Sequence, residues 1–405
     1  MRAVLVMICL AFAQLLPAYA QQEVIIMPPI DSYTPAGLAD WVANFKPRAL
    51  AKGVPESVFD SAMADVHLLP EVIDKDRRQD EFTRTIWDYL DRAVSPDRIA
   101  QGQRAAQHHQ ALLAQIEQRF GVDRYIVLAI WGLESAYGAV RGDIQTLSAL
   151  ATLAYEGRRA AFFESELIAL LTILAEGRAQ PAQLIGSWAG AMGHTQFMPS
   201  SYRSLAVDYS GGDAPNIWDD APDDALASAA AYLANSGWKS GLPWGLEVIL
   251  PPGFDYEIAG NRTQRPPSAW AAMGVQRADG GAFPDAWGAV ILPAGARGPA
   301  FWVSDNFAAI ETYNRADSYV IAIGHLSDRL RGSLAFVQEW PRDLRALTLQ
   351  DRKEIQQSLL DRGLYVGEAD GKIGPLTVAA IKALQRQMGR VPDGYASTEI
   401  LDLLK

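Results

Sequence analysis

Apolar residues recur every three to four positions from Thr34 to about Gly121, which predicts a succession of helices. Two of them have marked starts. Pro35 stands at a first helical position behind Thr34 as cap, and Pro96 stands likewise behind Ser95. The second is expected to run through Ile99 and Leu112–Ile116 to Phe120. Asp123 then caps a helix reading YIVLAIWGLESAYG over residues 125–138, with Gly138 placed to end it. Two helices rich in Leu and Ala follow over 144–155 and 161–176, and Pro181 starts a shorter one toward Trp188. From about Trp244 to Trp302 the pattern changes. Short runs at Glu247–Leu250, Ala289–Leu292 and Pro299–Val303 alternate with Pro and Gly clusters, which predicts a small β-rich insertion over about 244–303. Helical periodicity returns at Tyr319–Leu330. Pro341 and a charged stretch then make a boundary, and residues 344–405 read as a separate, short helical unit. The expected fold class is mainly α (α+β).

The first 20 residues stand apart. Arg2 precedes the apolar run Ala3–Ala13, and the triplet Ala18, Tyr19, Ala20 has the small-x-small form of a secretory cleavage site. Export is therefore expected, with residues 21–340 and 344–405 as the domains of the exported chain. Cys9, the single cysteine, lies inside this leader, so the exported chain would hold no disulfide and no thiol chemistry. Cys9 also lacks the Leu-x-small context of a lipoprotein signal. The 405 residues suffice for two or more domains with a sizeable core. The net charge of −11, one unit more negative once Arg2 is lost, argues against nucleic acid as a partner. His108 and His109 are adjacent, so they point to different faces of a helix and make a poor metal pair.

Candidate chemistry begins with Glu134. At helical spacing it shares a face with Val127, Ile130, Trp131 and Tyr137. A carboxylate in such company must be neutralised, paired or used. Desolvation raises a carboxyl pKa, which is what a proton donor to a leaving group needs. A second constellation, GAMGHTQFMPSSY over residues 190–202, reads as a shaped loop entering a helix. Gln196 and His194 supply polar groups there, and Met192, Phe197 and Met198 supply apolar wall; His194 alone reads as an ordinary loop histidine.

Glu-Ser-x-Tyr-Gly on a helix, followed about 55 residues later by Gly-Ala-Met-Gly-x-x-Gln-Phe-Met-Pro-Ser-Ser-Tyr, resembles the lytic murein transglycosylases of the MltB type. The resemblance continues through Ala206-Val-Asp-Tyr-Ser-Gly, Asn216-Ile-Trp-Asp, Asn235-Ser-Gly-Trp, Asn306-Phe and Tyr313-Asn314, and covers roughly residues 30–335. It implies a lysozyme-like helical domain that cleaves the β-1,4 bond between N-acetylmuramic acid and N-acetylglucosamine in peptidoglycan. One glutamate would act first as acid, then as base on the muramoyl 6-hydroxyl, leaving a 1,6-anhydro end. Ordinary glycosidases pair two carboxylates. Here Asp143, Glu156, Glu164 and Glu166 sit in polar contexts that suggest solvated or structural roles. By matching, Glu134 is the acid/base. Ser187, Gln196, Tyr232, Tyr313 and Asn314 match cleft positions, and Arg158 with Arg159 matches an arginine pair that grips the glycan or its peptide. Phe162 stands where some members have tyrosine, and His194-Thr195 replaces a Tyr-Gly pair.

Some members carry a calcium loop after the Val-Asp-Phe-Ser segment. Asp208, Ser210 and Asp224 match its ligands, but Gly212 stands at the third acidic position, so a turn closed by Asp and Gly is the expectation, with no metal and no cofactor. The C-terminal unit carries Asp370-Gly-Lys-Ile-Gly-Pro-Leu-Thr before Ala380-Ile-Lys-Ala-Leu-Gln385 and resembles the three-helix peptidoglycan-binding module. The expected partner is therefore the peptidoglycan glycan strand, met in the periplasm by a monomer. Cell-wall synthesis or secretion machinery is a further class of partner that the sequence does not identify. A hydrolytic muramidase on the same fold and a non-catalytic wall-binding scaffold are the alternatives.

Overall fold

The computed structural model describes residues 28–78, 84–260 and 262–405. The leader expected over 1–20, and Cys9 with it, lies outside the described residues. The described chain is mostly helical. Its centre is the helix Arg124–Ser135, whose residues Ile126 to Gly132 are all buried. A helix apolar on every side must be surrounded. Pro96–His108, Gln110–Phe120, Asp223–Asn235 and Asp317–Arg331 do this. The run of small residues Ala225, Ala227, Ala229, Ala230 and Ala231 on Asp223–Asn235 is buried, and it lets backbones approach closely. A second core lies beside the first. There Thr146–Glu156 and Ala160–Ala175 pack with the N-terminal helices Pro35–Ala51 and Glu56–Met63 around Phe45, Leu150, Phe163 and Leu170.

Two expected helices take other forms. The helix expected from Pro96 to Phe120 is broken at His109, whose φ of −103° and ψ of 22° leave the helical region. After Pro181 the chain makes only a short 3-10 turn, Pro181–Gln183. It then enters a strand, because strand β1 (Ile144–Gln145) pairs antiparallel with β2 (Ile185–Gly186) and satisfies the backbone that a helix would otherwise serve.

The insertion is a four-stranded antiparallel sheet. β3 is Gly245–Ile249, β4 Gln276–Arg277, β5 Ala289–Ile291 and β6 Ala300–Val303, in the order β4-β3-β6-β5. Its side chains alternate between two cores. Ala289, Ile291, Phe301 and Val303 face the core around Arg124–Ser135. Val248, Val290, Ala300 and Trp302 face a smaller core with Trp270 inside the insertion. β5 and β6 are therefore buried on both sides, which is why they read as continuous apolar runs.

The C-terminal unit consists of Leu349–Asp361, Pro375–Gln387 and Thr398–Leu404 around Ile355, Leu359, Ile381, Leu384 and Leu401. It docks on the insertion by a small apolar cluster in which Tyr395 packs with Ala294, and by polar contacts. Lys382 Nζ donates to Tyr256 O at 2.8 Å, Asp393 accepts from Ala296 N at 2.7 Å, and Arg297 meets Glu399 at 2.8 Å. Arg386 pairs with Glu257. A cavity of ≈ 1060 Å³ lies at this junction, walled by Leu292, Lys382 and Tyr395 and reaching Tyr89, Asp317 and Ser318.

Within the unit, Gln356 is fully buried and holds the Asp-Gly-Lys-Ile-Gly turn. Its Oε1 accepts from Gly371 N at 2.6 Å and its Nε2 donates to Lys372 O at 2.9 Å. Gln356→Leu leaves both backbone groups without their partner. We expect a loss on the order of 3 kcal/mol, read as an earlier urea transition by circular dichroism.

Candidate active site

Asp123 caps the central helix by accepting from Tyr125 N at 2.8 Å. The other end is unusual. Ala136 (φ 50°) and Tyr137 (φ 58°) are both left-handed, a conformation costing on the order of 1 kcal/mol each outside glycine. The reversal has a visible consequence. Tyr137 leaves the helical face expected for it and folds back over the helix, donating to Arg98 O at 3.0 Å. Two glycines make room for its ring. A Cβ on Gly132 would lie 2.6 Å from the ring, and one on Gly102 would lie 2.2 Å from its hydroxyl. Burial pushes the Tyr137 hydroxyl pKa well up, so it stays a donor. Glu134 is left half-buried in the last turn, at an abruptly ended helix.

Tyr319, 5% exposed in the first turn of Asp317–Arg331, donates its hydroxyl to Glu134 Oε1 at 2.5 Å. Burial first, and the negative charge of Glu134 second, push the Tyr319 pKa well above 10. The same two causes raise Tyr313, whose hydroxyl donates to Thr195 O at 2.8 Å. Tyr313 also packs on Tyr232, with ring centroids 4.8 Å apart, and on Phe197 at 6.0 Å. Tyr232 donates to Thr312 O at 2.7 Å.

The 190–202 loop is a tight hairpin. Met192 and Phe197 exchange backbone hydrogen bonds at 2.9 Å around Gly193 and Gln196, both at positive φ. Gly193 is required, since a Cβ there would lie 2.3 Å from Ile217 O. Gln196 Nε2 donates to Gly193 O at 2.9 Å and to Arg141 O at 3.1 Å. His194, within this hairpin, lies buried against the end of the Glu134 helix. Ser187 Oγ accepts from Ala191 N at 3.1 Å and shapes the turn that leads in. Asn314 Oδ1 accepts from Ala316 N at 3.0 Å, opening the helix that carries Tyr319.

Thus Tyr313, Thr195 and Gln196 are connected by contact and by adjacency, with Tyr232 beside them, and the charge of Glu134 reaches Tyr313. The arginine pair sits in another network. Arg158 Nε donates to Asp76 Oδ2 at 2.9 Å, and Arg159 lies 3.5 Å from Asp76 Oδ1 and over the Phe163 ring at 4.6 Å. Asp76 is 1% exposed, so both arginines serve to neutralise a buried charge. The carboxylates near Glu134 in sequence have tasks of their own. Glu156 pairs with Arg77 at 2.9 Å and Glu164 with Arg48 at 2.8 Å, while Glu166 accepts from Ser200 N at 2.9 Å. Asp143 is exposed.

The loop matched to a calcium site is closed by hydrogen bonds. Asp224 Oδ1 accepts from Tyr209 N and Ser210 N, and Oδ2 accepts from Asn216 N at 2.7 Å. Asp208 Oδ1 accepts from Gly211 N and Gly212 N. N–H donors thus close this turn on Asp208 Oδ1 and both oxygens of Asp224, and Gly212 brings no side-chain oxygen to the third acidic position.

Tyr319 is the site residue that sequence reasoning missed. It sits 185 positions from Glu134 and opens an apolar helix, so it reads as core. No local signal marks it.

The transglycosylase SLT domain family matches residues 37–328, and the peptidoglycan binding domain family matches residues 348–404. Membrane-bound lytic murein transglycosylase B of Escherichia coli (strain K12) is 34% identical over 264 residues, covering 62% of this chain and 68% of that protein. SltB3 of Pseudomonas aeruginosa, solved with NAG-NAM-pentapeptide and with NAG-anhNAM-pentapeptide, is 44% identical. It superposes with a TM-score of 0.87 over 91% of this chain and 99% of its own. The Escherichia coli lytic transglycosylase Slt35, solved in complex with calcium, has a TM-score of 0.61 at 29% identity, over 72% of this chain and 92% of its own. The chain belongs to the SLT transglycosylase family, as a lytic transglycosylase of the MltB type with a C-terminal peptidoglycan-binding domain.

Proposed function

We propose that Glu134 alone cleaves the bond between N-acetylmuramic acid and N-acetylglucosamine, leaving a 1,6-anhydromuramoyl end, in the periplasm after export. The observation that carries this reading is the single carboxyl group held by Tyr319 at the end of the buried helix. The carboxyl group, held by Tyr319 at Oε1, gives its proton to the glycosidic oxygen. The C1–O bond breaks, and the substrate N-acetyl group stabilises the cation at C1 in place of a second carboxylate. Glu134, now ionised and steadied by the Tyr319 hydroxyl, takes the proton of the muramoyl 6-hydroxyl, whose oxygen closes on C1. One proton leaves Glu134 and one returns, and no water is consumed. Tyr232 and Tyr313 offer flat faces for sugar rings, and Gln196 an amide for their polar groups. The C-terminal unit holds the enzyme to the wall and raises its local concentration there.

Two outcomes test the reading. Glu134→Gln should lower sacculus solubilisation about 10²- to 10⁴-fold while the protein still sediments with sacculi. Mass analysis of the wild-type digest should show muramoyl ends one water lighter than the reducing sugar. Reducing ends alone would make the enzyme a hydrolytic muramidase, and full activity of the Gln variant would move the acid/base to another residue. Tyr319→Phe removes one hydrogen bond to a charged group, worth about 1.5–3 kcal/mol, so kcat should fall about 10- to 100-fold with circular dichroism unchanged.

A further inference from the structure

His194 reads as a loop histidine, yet every polar atom of the residue is engaged. Its ring lies between the end of the Glu134 helix and the 216–220 segment. Trp131 Nε1 donates to His194 Nδ1 at 3.1 Å, and His194 Nε2 lies 2.6 Å from Asp219 O. An indole N–H only donates and a carbonyl only accepts, so Nδ1 carries the lone pair and Nε2 the hydrogen. The backbone is held as firmly. His194 N donates to Ile217 O at 3.2 Å, and His194 O accepts from Ser135 Oγ at 2.5 Å. Ser135 follows Glu134 directly, and its Oγ in turn accepts from Gly138 N at 3.0 Å. Gly138 is required for the approach, since a Cβ there would lie 2.6 Å from His194 Nδ1. On the other side, Thr195 O receives the Tyr313 hydroxyl and Gln196 turns into the left-handed region. One residue thus ties the turn after Glu134 to the strand of the hairpin that carries Thr195 and Gln196.

The geometry points to His194 as a positioning residue for the transglycosylation proposed above: its neutral, Nε2-protonated ring fixes the Glu134 carboxyl against the Gln196 hairpin and Tyr313, and its protonation releases that lock. The inference rests on Glu134 being the acid/base. A proton on Nδ1 would set an N–H against the Trp131 N–H. Arg141, 3.3 Å from Nε2 and sharing Asp219 O, would add like charge. The other groups facing the ring are Asp219 and Asp220, with Glu134 on the helix itself and His109 against the Trp131 ring. Burial leads the causes and lowers the His194 pKa below 6.5. The sign follows. Above 6.5 both folded and unfolded chains are neutral here, and the lock is complete. As pH falls below 6.5 the unfolded chain takes a proton first, and stability is lost until the folded ring also titrates.

The test uses the full chain with His194→Phe, His194→Gln and His194→Asn, assayed on sacculi for kcat, KM and their pH dependence. His194→Phe should lower kcat about 10- to 100-fold with KM within about threefold, as expected for a misplaced catalytic group. Gln retains a donor toward Asp219 and Asn an acceptor toward Trp131, so each should restore part of kcat. Neither titrates, so their acid limbs should lie below that of the wild type. Imidazole nitrogen NMR of the wild type at pH 7 should show an unprotonated Nδ1. Wild-type kcat in His194→Phe, equal losses in all three variants, or a protonated Nδ1 would each overturn the proposal. Should His194→Phe not fold, the Gln and Asn profiles decide it. Absence of anhydro products from the wild type would instead remove the reading of Glu134, and the tautomer measurement would still judge the lock.

Discussion

The contact between a carboxyl group at the end of a buried helix and the hydroxyl of Tyr319 is the one on which the site is built. Placing Glu134 there demands that everything before it be apolar and enclosed, and Ile126 through Gly132 are. It also demands that the helix stop at once, so that the next turn does not cover the carboxyl. The stop uses left-handed Ala136 and Tyr137 where glycine would be the easier choice. The strain is offset by what the reversal achieves. Tyr137 becomes a plug over Gly132 and Gly102, and Ser135 becomes free to meet the hairpin. The glycines at 102, 132 and 138 thus answer to one geometric requirement, although they stand far apart in sequence.

The parts of this arrangement differ in how far the sequence discloses them. Glu134 is conspicuous because a lone carboxylate interrupts an apolar helix. The Gln196 hairpin is conspicuous because glycine, amide and Met-Pro fall at fixed spacing. Both signals are local, and so is the strand pattern of the insertion. Tyr319 and His194 are not legible in the same way. A tyrosine in the first turn of an apolar helix is indistinguishable from core until the fold brings its hydroxyl across 185 residues to the carboxyl. Arg158 and Arg159 show the converse. Arginines at a helix start suggest a ligand, and their shared ion-pair partner Asp76 becomes visible only when the N-terminal helices are in place. The break at His109 and the strand after Pro181 are likewise decided by tertiary neighbours rather than by propensity.

The insertion shows why domain boundaries drawn on composition understate the coupling. Its sheet has no solvent face over β5 and β6. Phe301 and Trp302 are adjacent residues that belong to different cores. Removing the insertion would therefore uncover the wall of the catalytic core, against which Asp317–Arg331 and hence Tyr319 are packed. The C-terminal unit is attached on other terms. Its contacts with the insertion are largely charged and polar, carried by Lys382, Arg386, Asp393 and Glu399, beside a small apolar patch where Tyr395 packs with Ala294. Such contacts set orientation without adding much stability where they are exposed.

A single carboxyl can serve both halves of the reaction only if its two protonation states occupy the same place. In a two-carboxylate enzyme each group is tuned to one state. Here Tyr319 supplies a fixed donor that either state accepts, because a carboxylic acid and a carboxylate both present a lone pair at Oε1. The tyrosine does not give up its own proton, since burial and the neighbouring charge hold its pKa well above 10. On the proposed mechanism the carboxyl would therefore change charge without changing position. A second carboxylate in this pocket would repel the ionised form and pin a proton between the pair, as in acid proteases. Among the described residues Glu134 is the carboxylate that acts on both Tyr313 and Tyr319, and a non-titrating phenol beside it suits the proposed mechanism, in which the proton that leaves with the first bond must come back with the second.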